Sequence, residues 1–166
     1  IEPTEKYQNA VNEVAMLLSD NNTAVVRYIS PYKTGDWDWS EYVKDLDQEE
    51  RKAIRYLDIL ILALGEKGFL GINDWKFTLA DFIDSIQMTL MYYHIDTIAI
   101  ESIENAGEIM APEAFQEIIK RLPDEYGLGI IMDNSDSYPI VVAPKEKLTM
   151  AAEIMADIDE KIYVVE

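Results

Sequence analysis

The stretch Asp47 to Gly68, DQEERKAIRYLDILILALGEKG, decides how this chain folds, and Phe69-Leu70-Gly71-Ile72-Asn73-Asp74-Trp75-Lys76 follows it directly. Asp47 with Glu50 three residues later is a capping-box spacing, in which each side chain accepts a hydrogen bond from a first-turn N–H that the helix leaves unpaired. Gly68 supplies the left-handed residue on which helices commonly stop. Between these signals Leu57, Ile59, Leu60, Ile61, Leu62, Ala63 and Leu64 are apolar nearly all round, broken only by Asp58. A helix without a polar side must be buried over most of its circumference. The pattern predicts one central core helix over 48–66, with Leu60 and Leu64 inside.

Composition sets the frame around that helix. A chain of 166 residues with 49% hydrophobic content suits a single domain over 1–166, able to bury roughly 70% of its unfolded surface. The 32 acidic and 14 basic residues leave a formal charge of -18, yet the apolar fraction is too high for the signature of disorder. The charge therefore sits on a folded surface. Such a surface repels phosphate backbones and anionic headgroups, which argues against nucleic-acid or membrane partners and admits a basic protein partner, plain solubility being its commoner role. The absence of Cys removes disulfides, thiolate catalysis and cysteine metal clusters. The longest apolar run, Ile59 to Leu64, is far short of the ~20 residues of a membrane span. The Ile at position 1 fits a processed product, so a removed leader stays open while the cytoplasm is slightly favoured.

In chain order, Thr4 caps a helix over 5–19 whose apolar face is Tyr7, Ala10, Val11, Val14, Ala15 and Leu18. Thr23 to Ile29 is rich in β-formers but follows an Asn cap, and we read it as helix, ending at Ser30-Pro31. Pro31 to Trp39 reads as a loop holding Trp37 and Trp39, and Ser40 as the cap of a short helical piece. Thr78 with Asp81 opens a helix over 79–93, and Asp96 a further one in which Ile98, Ile100 and Ile103 face inward and Glu101, Glu104 and Glu108 outward. Pro112 fits the first position of a helix that stops before Pro123. From Gly127 the pattern turns to strands. Residues 128–132 and 138–142 flank Asp133-Asn-Ser-Asp-Ser137, a turn-forming run, and make a hairpin in which Pro139, lacking a donor, belongs at a strand start or an outer edge. Helical spacing resumes over 145–157 and a last strand covers 162–165; a right-handed crossover joins the flanking strands if they are parallel neighbours. The fold class is α+β: a mostly helical first two-thirds packed on a small C-terminal sheet.

Chemistry-bearing residues are few. His94 is the only histidine and ends a helix, where the dipole favours a cation; that structural role outweighs catalysis. Zinc sites draw on several His or Cys and have no donors here, and Gly65, Gly68 and Gly71 lack the strand-to-helix setting of a phosphate loop. No catalytic residue, metal or cofactor is assigned. The Asp133–Ser137 run resembles a hard-cation loop but has Tyr138 and Pro144 where an EF-hand needs Gly and Glu, so a self-capped turn is the simpler reading. A two-carboxylate site of Asp74 with Asp133 or Asp136 is a weak signal in so acidic a chain. Trp37, Trp39 and Trp75, with Tyr32 and Tyr42, are more suggestive: the two loop tryptophans form either lids on the core, the favoured reading, or an exposed aromatic platform, and Trp75 either fills the core or walls a cleft.

Two segments, LALGEKGFLGINDWK at 62–76 and GIIMDNSDSYPIVV at 129–142, resemble a family of bacterial proteins carrying a domain of unknown function, with an Asp-Trp-Lys element after a core helix and a later Asp-Ser-Asp-Ser/Thr-Tyr hairpin. The likeness spans the chain from the first helix to the last strand. It carries no activity over and implies only that Asp74, Trp75, Asp136 and Tyr138 come first among candidate site residues. Pro139 and the acidic stretch Glu101 to Glu117 depart from the pattern.

Two functional expectations follow. Asp74, Trp75, Asp133 and Asp136, if adjacent, make an acidic cleft with one aromatic wall for a cationic or sugar ligand, a hydrolytic role included; a separation beyond about 15 Å removes that reading. The favoured expectation is a non-enzymatic domain, antitoxin-like or immunity-like, that binds a basic protein, because residues 77–119 hold eight acidic residues and no Lys or Arg.

Overall fold

The structure, a computed structural model, describes residues 4–34, 45–96 and 98–166, and the side chains of all of these except 30–34, 51 and 52. Trp37, Trp39 and the Ser40 piece therefore lie outside the described residues. The elements are α1 (Glu5–Leu18), α2 (Thr23–Thr34), α3 (Gln48–Ala53), α4 (Tyr56–Glu66), β1 (Gly71–Asp74), α5 (Leu79–Ser85), α6 (Gln87–Tyr92), α7 (Glu113–Arg121), β2 (Tyr126–Met132), β3 (Ser137–Pro144), α8 (Lys145–Ala156) and β4 (Lys161–Val164). The fold is α+β, with helices mostly in the first part of the chain and strands mostly in the last.

The stretch Asp47 to Gly68 is two helices rather than the one its apolar run predicts. Asp47 and Glu50 do form the reciprocal cap, Asp47 N–H to Glu50 Oε2 at 2.8 Å and Glu50 N–H to Asp47 Oδ1 at 2.8 Å, but α3 stops at Ala53. A second cap restarts the helix: the Arg55 N–H donates to Asp58 Oδ2 at 2.9 Å. The single charge that interrupts the apolar run is thus a first-turn acid of a new helix, where the dipole favours it. α4 is the buried element, with Leu57, Ile59, Leu60, Ala63 and Leu64 fully enclosed. It ends at Gly68 (φ 83°), where Gly68 N–H reaches the Gly65 carbonyl and Phe69 N–H the Leu64 carbonyl at 2.8 Å. That bond pair is a Schellman motif.

α6 ends the same way. His94 takes the left-handed position (φ 55°), with His94 N–H on the Met91 carbonyl and Ile95 N–H on that of Leu90. The lone histidine is an exposed helix stop. α2 continues through Thr34, so Pro31 to Thr34 are helix, not loop; burial of Val25 and Ile29 outweighs the hydrogen bond that Pro31 cannot make. The predicted 79–93 helix is broken between α5 and α6 at Ile86. Among the described residues the predicted helix from Asp96 does not form, and Ile100–Ser102 makes a 3-10 turn instead. Asn105 there is left-handed (φ 61°), and Ile98, Ile103 and Ala106 are buried as separate anchors rather than as one helical stripe.

The sheet has the order β1-β3-β2-β4, every neighbour antiparallel. β3 and β4 are not neighbours, so the condition for the crossover rule is not met. Side chains alternate across the sheet and build a core on each face. Val141, Ala143, Ile131 and Ile162 join α1, α4 and α8 on one side; Ile140, Val142, Leu128 and Ile130 join α5 and α7 on the other. The sheet is a middle layer, not a platform beside the helices.

Pro139 lies within a central strand, contrary to its expected edge or starting place, because β1, unpredicted, pairs beyond it: Gly71 with Ile140, Ile72 with Pro139, Asn73 with Tyr138 and Asp74 with Ser137. The β2–β3 pairing ends at Ile130–Ile140, just short of the proline. Both facts share a cause. Pro139 has no N–H to exchange, so its pairing with Ile72 is of the non-hydrogen-bonded kind; Gly71 and Asn73 carry the β1–β3 bonds, and the N–H and C=O of Ile72 point out of the sheet.

Candidate binding surface

The strand register brings two sequence-predicted segments together. Asp74 closes β1 opposite Ser137, the neighbour of Asp136, so the Asp-Trp-Lys turn and the Asp-rich hairpin share one end of the sheet. Their side chains are largely engaged in their own turns. Asp74 Oδ1 accepts the Lys76 N–H at 2.9 Å, and Asp133 Oδ1 accepts both the N–H and the hydroxyl of Ser135, at 3.0 and 2.6 Å. Ser135 Oγ in turn accepts the Ser137 N–H at 3.1 Å. Asp136 is exposed. Among the described residues no group of three or more His, Cys, Asp or Glu is placed to hold a metal ion.

Trp75 is 50% exposed with Lys76 Nζ 5.5 Å from its ring centroid, a cation–π contact at the surface. Tyr138, by contrast, is a half-buried packing residue, its ring 5.3 Å from Phe115 and 6.1 Å from Phe82. The hairpin turn is tied to the core helix by a residue the sequence did not single out: Arg55 donates from Nη2 to the Asp133 carbonyl at 2.6 Å and pairs with Asp58 Oδ1 at 3.0 Å. The Asp58 hydrogen bond raises the Arg55 pKa above its ordinary value. Nearby, Tyr7 donates to Glu160 Oε1 at 3.0 Å, and burial, reinforced by that carboxylate, raises its pKa.

The acidic stretch 77–119 is exposed. Asp81, Asp84, Asp96, Glu101, Glu104, Glu108 and Glu113 all face solvent, and none makes an ion pair among the described residues. Glu117 differs. Arg121 at 2.7 Å and Lys120 at 3.0 Å bind it and lower its pKa, Arg121 first. Because no helix spans 101–108, Glu101, Glu104 and Glu108 do not form a helical row; they project from a loop fastened to α5 by Leu79 N–H to the Ile109 carbonyl at 2.7 Å and Ala80 N–H to the Ala106 carbonyl at 3.2 Å. The same strap pairs Thr78 with Met110. Phe77, next to Thr78, and Met110 are both exposed.

A groove of about 310 Å³ runs along the free edge of β1. Leu62, Gly65 and Glu66 of α4 form one wall, residues 70–72 the floor, and Ser85 of α5 the other side. A Cβ on Gly71 would lie 2.6 Å from Ser85 Cβ and 2.7 Å from the Ser85 carbonyl oxygen, so only glycine lets β1 approach α5 this closely. Asn73 secures the approach, its Nδ2 donating to Ser85 Oγ at 2.9 Å and to the Gly71 carbonyl at 3.2 Å. A second groove, of about 480 Å³, lies between α1 and α8 over Glu5, Asn9, Glu13, Ile154 and Ile158. Neither includes Asp74, Asp133 or Asp136. No described helix is long and apolar enough to cross a membrane.

Sequence reasoning missed β1 and its groove because the strand is short and its pattern inverted: Ile72 is exposed and Asn73 buried. The usable signal was Pro139, a donor-free residue in an otherwise central strand.

The family model described as Domain of unknown function (DUF6630) matches residues 10–165, and the chain belongs to that family. No curated protein and no solved structure matches it.

Proposed function

We propose that this member of the DUF6630 family is a non-enzymatic module that binds a basic protein partner, as antitoxin-like and immunity-like proteins do. The observation that carries the reading is the one-signed surface: seven exposed carboxylates between residues 77 and 119 with no Lys or Arg among them. Ordinary surfaces intersperse charges, and a single-signed field steers an oppositely charged partner and speeds its encounter. Exposed Phe77 and Met110, within the same stretch, supply apolar contact area that charge alone lacks.

The test begins with a pulldown from the source cell to name a partner, followed by association kinetics. Changing Glu101, Glu104 and Glu108 together to Lys should slow association at low salt by about tenfold or more and leave the fold intact. An unchanged rate at low ionic strength overturns the reading and leaves those residues as solubilising charge. The alternative, a small-ligand, carbohydrate-binding or hydrolytic site of Asp74, Trp75, Asp133 and Asp136, has the adjacency of β1 and the hairpin in its favour. It ranks second because two of its three carboxylates already serve their own turns.

A further inference from the structure

We infer that the free edge of β1 is a strand-addition site, and that its occupant is an extended, basic peptide segment of the partner whose side chains alternate between apolar residues and Lys or Arg. This deepens the function proposed above and rests on it for the partner's basic character. The backbone carries the argument first. Ile72 presents its N–H and C=O outward, and among the described residues no donor or acceptor pairs with either. An unpaired edge is a template for another strand. The opposite edge of the sheet is protected in a familiar way, by Lys161 on β4 lying 5.9 Å from the ring centroid of Tyr163. β1 carries no Lys, Arg or Pro, and among the described residues none covers its edge. Its exposed side chains are Ile72, half open to solvent, and Asp74.

The groove supplies the second part. Gly65 opens the α4 wall, leaving room between helix and strand for side chains of an added strand, while Leu62, Leu70 and Ile72 offer it an apolar lining. Charge selects the occupant. Glu66 stands in the wall, Asp84 precedes Ser85 on α5, and Asp74 closes the strand. An added strand alternates its side chains between two faces. The set facing α4 meets the apolar Leu62 and Ile72, with Glu66 in the same wall and Asp74 two residues along the strand from Ile72, and the set facing α5 meets Ser85 with Asp84 next to it, so a peptide of mixed apolar and cationic side chains fits there and a second copy of this chain, itself at -18, does not.

The probe is a fluorescein-labelled Lys-Val-Lys-Val-Lys-Val peptide, read by anisotropy against the full chain, with the matching Glu-Val peptide and a version N-methylated at alternate amides as controls. Ile72→Pro removes the outward donor without removing a bond to β3, and should weaken binding about fivefold, the worth of one hydrogen bond; Ile72→Val, which keeps the donor, should stay within about twofold. Gly65→Leu fills the groove from a helical position where Leu is better tolerated than Gly, and should abolish binding. The N-methylated and acidic peptides should fail. Equal binding by the N-methylated peptide, no effect of Gly65→Leu, or no binding of the basic peptide up to about 1 mM overturns the proposal; so does concentration-dependent dimerisation through this edge in the absence of peptide. Should Ile72→Pro not fold, the N-methylated peptide still decides. A natural partner slowed by the Glu101, Glu104 and Glu108 reversals but indifferent to Gly65→Leu would leave the acidic-module reading standing and remove this one.

Discussion

Leu60 and Leu62 are two residues apart on one helix and separate burial from every other property of a leucine. Leu60 has no exposed surface and sits among fully enclosed neighbours such as Leu57 and Leu64, whereas Leu62 is partly exposed and lines the β1 groove. Truncation to Ala removes the same atoms at both sites, with the same small gain in helix propensity, so those terms cancel in the comparison. At Leu60 the lost transfer energy is joined by a cavity that packed neighbours cannot close, which places the cost at about 3–4 kcal/mol, within the 2–5 range of buried Leu→Ala changes. At Leu62 the void opens on an existing groove, solvent already reaches the side chain, and the cost should be about 1 kcal/mol. Urea unfolding followed by far-UV circular dichroism is the assay. With an m-value near 2 kcal/mol/M, the midpoint should fall by roughly 1.5–2 M for Leu60→Ala and roughly 0.5 M for Leu62→Ala. Equal shifts, or a loss at Leu60 under about 1 kcal/mol, would refute the placement of α4 as the enclosed core helix.

Other perturbations test other joints of the structure. Gly71→Ala forces β1 away from Ser85, and a loss of about 1–3 kcal/mol is expected in the same urea experiment, an unchanged midpoint contradicting the close approach. Arg55→Met deletes the bond to the Asp133 carbonyl; it should cost about 1 kcal/mol and speed amide exchange at Asn134 and Ser135, and unaltered exchange there would show the tie to be idle. Asp20 accepts from Lys147 and from Tyr92, each at 2.9 Å, and these bonds, Lys147 first, lower its pKa. A depressed folded-state pKa contributes stability above the unfolded-state value that is lost as pH falls, so the gap between wild type and Asp20→Asn should narrow from about pH 7 to about pH 3, and a constant gap refutes the linkage. Tyr7 has the opposite sign: its raised pKa contributes stability that fades as pH climbs past about 10, so Tyr7→Phe should flatten the alkaline limb of the stability curve.

The sequence by itself determined the local signals. Thr4, Asp47, Thr78 and Gly68 mark helix ends through bonds to backbone within a turn of themselves, and the Asp133–Ser137 run closes a hairpin through its own side chains. Such interactions are complete within a few residues, so their spacing is written in the chain. The buried run of α4 was legible for a related reason, since an element with no polar side has only one place to go. Asp58 was visible as an interruption, but its role as a new cap appears only with the Arg55 N–H against it. What the tertiary structure alone decided is non-local. Ile98 and Ile103 are spaced for a helix, yet they are buried on an irregular strap of local turns that the Ala106 and Ile109 carbonyls fasten to α5. β1 is a strand because β3 offers it a register and Gly71 lets it slide beneath Ser85, against an alternation that puts Asn73 inside and Ile72 outside. The outward-facing donor and acceptor of Ile72 follow from a proline far along the chain. Periodicity measures which side of an element is apolar; it cannot say which neighbour will pair with it, and the free edge is set by that pairing.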